Sequence, residues 1–442
     1  MTANGAQKAG GRQDDRYGCS RLGNGVQVLS ERMDGVGSVA VGAWLRHGSA
    51  LDPSGLTGAS HLLEHMVFRG TGNRSRRQIA AALEGLGGSL NAYTGREHTG
   101  YEALVLDRHL GTAVEVLSDL VRNPLLRDED LHREKEVVFE EIAAVEDTPD
   151  DLVFERHCNR MWCGHPYGSP ILGTRQTVAA ITRADLVELH RRTYVGANLV
   201  VAAAGRVDHN SFRAMAEEWF GGLEQGTAAA PVVAPRDARL GVDDVHRDSA
   251  QTHIVVGSPV PGASHPDRYA LLLISAALGG GMSSRLFQRI REELALAYSI
   301  YTFQTLYTRA GLFGVYLGTR PAWAAAALAA VDEVSAAVAG DGLHGDELDR
   351  TKEQVKGEIV LSLESPAARV GRLAGFALRN EPWIPMDLLP DLIDGVTKCD
   401  IVRVASEALG PGRRYVLSLG PRSPARSAGD PHDPDGARTV RL

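Results

Sequence analysis

The feature that most constrains how this 442-residue chain can fold is an internal repeat. Two halves of nearly equal size flank GTAAAPVVAPRD at 226–237, a run of small residues and prolines that suits an extended linker. In the first half a strand (VAVGAWLRHGS) leads to a helix (LTGASHLLEHMVF) and then a second helix (RRQIAAALEGLG). Two strands follow (GSLNAYTG and HTGYEALVL), and then a helix from Asp107. The second half keeps this order with HIVVGSPVPG, DRYALLLISAALGG, SSRLFQRIREELA, AYSIYTFQTLY, GLFGVYLGT and a helix from Pro321. Helices alternating with paired strands predict an α+β fold. It comprises two homologous α/β-sandwich halves, each a largely antiparallel sheet packed by helices, joined by a linker. The expected boundaries are 16–225 and 239–420 for the halves and 226–238 for the linker. Unstructured ends are expected at 1–15, which is polar and Gly-rich, and at 421–442, which is rich in Pro, Arg, Asp and Gly.

Composition narrows the classes. A chain of this length exceeds one ordinary core, and 43% apolar with 23% charged residues is the balance of a globular protein. The net charge of −8 comes without any Lys/Arg run that could track phosphates, so no nucleic acid is expected. Four cysteines, Cys19, Cys158, Cys163 and Cys399, are too sparse for a disulfide framework or a thiolate metal site and read as reduced, mostly buried thiols. The start, MTANGAQKAGGRQDDR, has no apolar segment of a secretory signal, and no uninterrupted apolar run approaches the ~20 residues that span a bilayer. These point to the cytoplasm and to no membrane partner.

The chemistry concentrates at His61-Leu62-Leu63-Glu64-His65. On a helix, positions i and i+4 lie on one face a turn apart, so His61 and His65 can share one metal ion. Glu64, at i+3, faces the same point. Neutral imidazole suits zinc, and a carboxylate beside the ion but not bound to it can take a proton from water. The ordinary alternative is a decorated helix face. It is disfavoured by Leu62, Leu63, Met66, Val67 and Phe68, which mark the helix as buried, where His and Glu need partners. The second half has LLLISAALGG in the equivalent place, so the metal site belongs to one half only. A catalytic zinc needs a third protein ligand and an open position. The acidic helix LHREKEVVFEEIAAVEDTPDD offers Glu134, Glu136, Glu140 and Glu141, with Val137, Val138, Ile142 and Val145 as its apolar positions. Glu134 and Glu141 are seven apart and point the same way, but composition does not choose among the four.

With these motifs the sequence resembles the pitrilysin family of inverted-motif zinc peptidases, which includes insulysin and the mitochondrial processing peptidase, in its two-domain bacterial form. The resemblance runs from about residue 18 to 420. It implies a third zinc ligand 76 residues past the second histidine, which here is Glu141, and a glutamate seven residues earlier, Glu134, supporting the ligands. GGSLNAYTGREHTGYEA resembles the family's substrate-binding edge strand, which implies backbone pairing with peptide around Asn91 and Ala92. HPYGSPILG and KGEIVLSLESPAARVGRLA are further family-like stretches. GGGMSSRLFQRIREELALAYSIY resembles its Arg and Tyr motif, which implies that Arg291 and Tyr298 reach the substrate.

The expected function is therefore a metalloendopeptidase with one Zn2+ per chain, held by His61, His65 and Glu141, with Glu64 as general base. An extended peptide would add as a strand at Gly88–Tyr93, Arg291 and Tyr298 would reach across from the second half, and the halves would open and close around the substrate. A subunit of a heteromeric peptidase, or a non-catalytic structural partner, is the alternative. A homodimer, or a heterodimer with a related chain, is left open.

Overall fold

The computed structural model describes residues 16–410, 412–421 and 438–441. The first half opens with β1 (Tyr17–Arg21), β2 (Gln27–Arg32), β3 (Ser38–Leu45), α1 (Ala59–Val67) and α2 (Arg76–Glu84). It continues with β4 (Ser89–Thr94), β5 (Thr99–Leu106), α3 (Leu110–Arg122), α4 (Asp128–Asp147) and α5 (Pro149–Met161). It ends with α6 (Arg175–Ala180), α7 (Arg183–Thr193), β6 (Leu199–Gly205) and α8 (His209–Phe220). No helix or strand interrupts 221–236. The second half runs β7 (Asp237–His246), β8 (Thr252–Val260), α9 (Arg268–Gly279), a π-helical turn at Phe287–Glu293, β9 (Ala297–Leu306) and β10 (Gly311–Thr319). Then come α10 (Ala324–Asp341), α11 (Gly345–Ser362), α12 (Pro366–Leu378), α13 (Leu389–Asp394), α14 (Lys398–Leu409), β11 (Tyr415–Gly420) and β12 (Arg438–Arg441).

The fold is α+β, with two six-stranded sheets in the orders β1-β2-β6-β3-β5-β4 and β12-β7-β11-β8-β10-β9. Each is antiparallel except for one parallel pair, β2 with β6 and β7 with β11. The two sheets thus match position for position. At the outer edge the match has a twist. The strand beside β2 is β1, which precedes it in sequence, whereas the strand beside β7 is β12, from the end of the chain. The tail expected at 421–442 to lack structure therefore carries a paired strand, and the sequence hid it because its partner lies some 200 residues away. The expected unstructured N-terminus, 1–15, lies outside the described residues.

Each sheet has two apolar faces, and its own half covers only one. In the first half Val39, Val41, Leu62, Leu63, Val114 and Leu117 belong to one core between sheet and helices. In the second, Ile254, Val256, Leu273, Ile274, Val331 and Val404 belong to another. The remaining faces are covered by exchange. Leu152, Val153, Met161 and Trp162 around α5 of the first half pack on Val255, Leu312, Tyr415 and Leu417 of the second sheet. Val370, Leu373, Ala374 and Ala377 of α12 pack on Leu29, Ala40, Trp44, Val200 and Ala202 of the first. Each large side chain so buried stabilises the packed state by about 1.5–3 kcal/mol. The expectation of two halves held by a linker and free to open is corrected here, because separating them would strip both sheets.

Helix α10 with its preceding turn, Pro321–Asp341, is long and apolar enough to cross a bilayer by length and composition. In this fold it packs Val331, Val334 and Val338 into the second core, and its Asp332 and Glu333 pair with Arg414 and Arg289.

At the α5 crossing, His157 is fully buried, with Nε2 3.0 Å from the Tyr415 carbonyl oxygen. It fits because β8 offers a glycine there: a Cβ on Gly257 would stand 2.4 Å from the imidazole. Burial pushes His157 down to about 4, against the raising effect of its backbone bond. The folded value lies below the ordinary ~6.5, so the unfolded chain takes the proton first as pH falls. This contribution is intact above the unfolded value and is lost between there and about pH 4. It amounts to about 3 kcal/mol at full loss. His157→Gln should therefore lose less stability than wild type between neutral pH and pH 4, measured by urea denaturation. Equal acid losses in the two proteins would contradict a buried neutral imidazole at this crossing.

Candidate metal centre

Helix α1 starts without a side-chain cap of its own, at Gly58 with φ +97. Glycine is required there, since a Cβ would sit 2.6 Å from the Leu172 carbonyl oxygen. The cap comes from Asp52. Its Oδ2 accepts from the Gly58 amide at 2.8 Å, and its Oδ1 accepts from the Ser60 amide at 2.9 Å and the Ser60 hydroxyl at 2.5 Å. These bonds satisfy orphan donors and set a negative charge at the helix's positive end. Burial nevertheless pushes the Asp52 carboxyl up to about 6.

The helix is sunk into the first core by Leu62, Leu63, Met66 and Val67. His61 and Glu64 are buried with it, at 9% and 8% exposure. The two imidazoles lie with ring centroids 4.5 Å apart. Burial, aided by His65, pushes His61 down to about 3, which keeps it the neutral base that a metal requires.

Helix α4 crosses beneath and supplies two carboxylates. Glu141 approaches both rings, with one oxygen 3.6 Å from His61 Nε2 and the other 3.6 Å from His65 Nε2. Glu134 lies two turns back and is almost wholly buried. One of its oxygens is 3.1 Å from His65 Nδ1, and the other pairs with Arg69. A hydrogen bond at Nδ1 leaves the lone pair of His65 on Nε2, facing Glu141. Glu136 and Glu140 are exposed. Of the four acids left open by composition, geometry brings Glu141 to the imidazoles and Glu134 behind one of them.

These groups fit a metal ion. One donor atom from each of His61, His65 and Glu141 lies within 4.8 Å of the others, the sole such group among the described residues. Ligands around tetrahedral zinc stand about 3.3 Å apart, close to the two 3.6 Å spacings. Glu141 Oε2 and His61 Nδ1 are buried without a hydrogen-bond partner. For the carboxylate oxygen this is the costly state that a cation relieves.

Residues 27–175 match the family model described as Insulinase (Peptidase family M16), and 180–355 match the one described as Peptidase M16 inactive domain. An uncharacterized zinc protease of Mycobacterium leprae is 37% identical over 408 residues, covering 90% of this chain and 91% of that one. One of Bacillus subtilis is 36% identical over 359 residues, covering 81% and 86%. The chain belongs to peptidase family M16. Its fold is shared with a peptidase M16 inactive domain from Pseudomonas fluorescens, with TM-score 0.85, 23% identity and coverage of 92% of this chain and 98% of that one.

His61, Glu64, His65, Glu134 and Glu141 all lie in the segment matching the insulinase model, while Arg291 and Tyr298 lie in the other. Asn91 and Ala92 sit on β4, which among the described residues pairs with β5 alone and leaves its other edge free. Along it Leu90 and Ala92 pack on the core side, and Asn91 and Tyr93 are exposed.

Arg291 and Tyr298, expected to reach the substrate from the second half, contact each other within one chain. Arg291 lies 4.5 Å over the Tyr298 ring and donates to the Tyr298 carbonyl oxygen at 3.0 Å, and Tyr298 is 74% exposed. Among the described residues, no hydrogen bond, ion pair or ring contact joins either to the metal group. Connectivity explains the separation. The site meets the second half through the β4–β5 turn, where Glu97 accepts from the Thr308 amide at 2.8 Å and from the Tyr167 hydroxyl at 2.5 Å. Thr308 follows β9, and Tyr298 lies near its start, roughly 33 Å back along the strand direction.

Sequence reasoning missed three residues at this candidate site. Arg69 lies one helical turn past His65. Asp52 caps from outside the usual spacing. Thr94 donates to Glu64 at 2.8 Å from within a strand read only for its backbone.

Proposed function

We propose that this chain is a zinc-dependent endopeptidase that cleaves extended peptides, with Glu64 as general base. His61, His65 and Glu141 carry the proposal: three donors of the types zinc prefers converge on one point, and a fourth group, Glu64, stands beside them without joining them. The ion, when bound, supplies a Lewis acid and lowers the pKa of water toward ~7. The chain's residues do the rest. Glu134 and Arg69 hold the His65 ring so that Nε2 faces inward. The free edge of β4 pairs with the peptide backbone around Asn91 and Ala92, which reads conformation more than side chains. Burial raises the pKa of the Glu64 carboxyl, with Glu141 adding to the rise and the Thr94 bond and His65 opposing it, which suits a group that must take up a proton. Water adds to the scissile carbonyl carbon and its proton passes to Glu64. As the C–N bond breaks, that proton moves to the leaving nitrogen, giving a carboxylic acid and an amine, which exchange the remaining water proton to end as a carboxylate and an ammonium.

The outward position of Arg291 and Tyr298 supports a second element. We propose that the working unit contains two copies, in which one copy's Arg291 and Tyr298 face the other's β4 edge. The cytoplasm is the proposed compartment.

The purified chain should hold about one zinc by elemental analysis, lost in His61→Ala and Glu141→Gln and kept in Glu140→Gln. Glu64→Gln should keep zinc and lose at least ~10²-fold in peptide hydrolysis. Near-wild-type cleavage by that zinc-loaded variant would place the base elsewhere. Mixing Glu64→Gln with Arg291→Ala, each slow alone, should restore activity through mixed dimers. An Arg291→Ala protein as active as wild type would remove the two-copy proposal.

A further inference from the structure

Glu64 is a buried carboxylate on a flexible stem, and among the described residues one group alone donates a hydrogen bond to it: the Thr94 hydroxyl, at 2.8 Å to Oε2. The terminal torsion of a glutamate is broad, so an unanchored carboxylate would sample many orientations. Thr94 itself is firmly placed. It is the last residue of β4, paired with Thr99 of β5, whose hydroxyl donates to the His47 carbonyl oxygen at 2.9 Å. The turn that follows is held from two sides. The Ser49 and Ala50 amides donate to the Gly95 and Arg96 carbonyl oxygens at 3.0 and 2.9 Å, and Glu97 is bound by Thr308 of the second half. By strand alternation Thr94 faces the core side with Leu90 and Ala92, toward α1, while Tyr93 faces away.

We propose that Thr94 is a positioning residue for proton transfer: its hydroxyl fixes Glu64 Oε2 so that Oε1 is presented to the attacking water. This rests on the peptidase reading above and adds a coupling to it. The hydroxyl that aligns the base sits on the strand to which the peptide backbone is proposed to add. The base is therefore registered to the substrate template as well as to the helix carrying the histidines. A residue placed only to build the strand would need its backbone and its bulk, which valine supplies as well as threonine; the alignment needs the hydroxyl.

The test compares Thr94→Val, Thr94→Ser, Glu64→Gln and the double variant Thr94→Val/Glu64→Gln, all zinc-loaded, on one quenched fluorescent peptide. Thr94→Val should lose about 10- to 100-fold in kcat, the usual scale for a group that orients a reacting one, with zinc content and KM near wild type. Thr94→Ser should recover most of that loss. The double variant should be no slower than Glu64→Gln, because without the base there is nothing left to align. A Thr94→Val protein with wild-type kcat, while Glu64→Gln is inactive, overturns the Thr94 role and leaves the peptidase reading standing. A loss seen only in KM or in zinc content, or one that serine does not repair, also overturns it, in favour of a structural strand residue. Wild-type activity in Glu64→Gln sinks the peptidase reading itself. Should Thr94→Val fail to fold, Thr94→Ala removes the same hydroxyl without adding a methyl group and is read the same way.

Discussion

Everything in this molecule depends on the exchange of α5 and α12. A six-stranded sheet with apolar residues on both faces cannot stand with one face in water. Each half has helices for one face and lends its spare helix to the other half. The small residues at the crossings fit this closeness: Ala40, Ala202 and Ala204 lie under α12, and Gly257 lies under His157. Polar contacts reinforce the crossings without covering area. Arg369 pairs with the buried Glu31, Arg46 donates to the Ala377 carbonyl oxygen, and Asp243 receives both Arg160 and Tyr415.

This interlock decides what the metal centre can be. Its parts come from α1, α4 and β4, all in the first half, and the second half contributes through the Thr308 contact to Glu97. A rigid pairing of the halves holds β4 at a constant distance from α1, which Glu64 needs in the proposed role of a base that meets both water and peptide. It also forbids the second half from swinging its own Arg291 and Tyr298 over the site. This favours the two-copy arrangement proposed above over a hinge within the chain.

The repeat, the fold class and the two histidines were legible in the sequence because each is a local periodicity: element order, alternation, and i,i+4 spacing on a helix. Glu141 was not legible from composition. Helix α4 carries acids on several faces, and which of them meets α1 is set by a crossing that no local pattern encodes; the resemblance singled it out by its distance from His65. Asp52, Thr94 and Arg69 escaped because their meaning lies in a contact across the fold. The same holds for β12, a short segment whose partner strand lies at the other end of the second half, and for the destination of α5, whose apolar face gives no hint of which sheet it covers.

Charge gives the strongest internal consistency. Glu64, Glu134 and Glu141 crowd around His65 and the His61 imidazole, which burial keeps neutral, and Arg69 is the cation that pairs among them. Two negative charges are left in a largely buried cluster, where like charges repel strongly and desolvation is costly. Protonating one carboxyl relieves part of this, and the upward push on Glu64, to which Glu141 contributes, is that tendency at work. A divalent cation relieves all of it at once, by balancing the excess and occupying the donors that have no other partner. The helix pays in stability for groups it could have replaced with leucine. That cost fits the metal site proposed above, in which Glu64, outside the group formed by His61, His65 and Glu141, would be left free to exchange its proton.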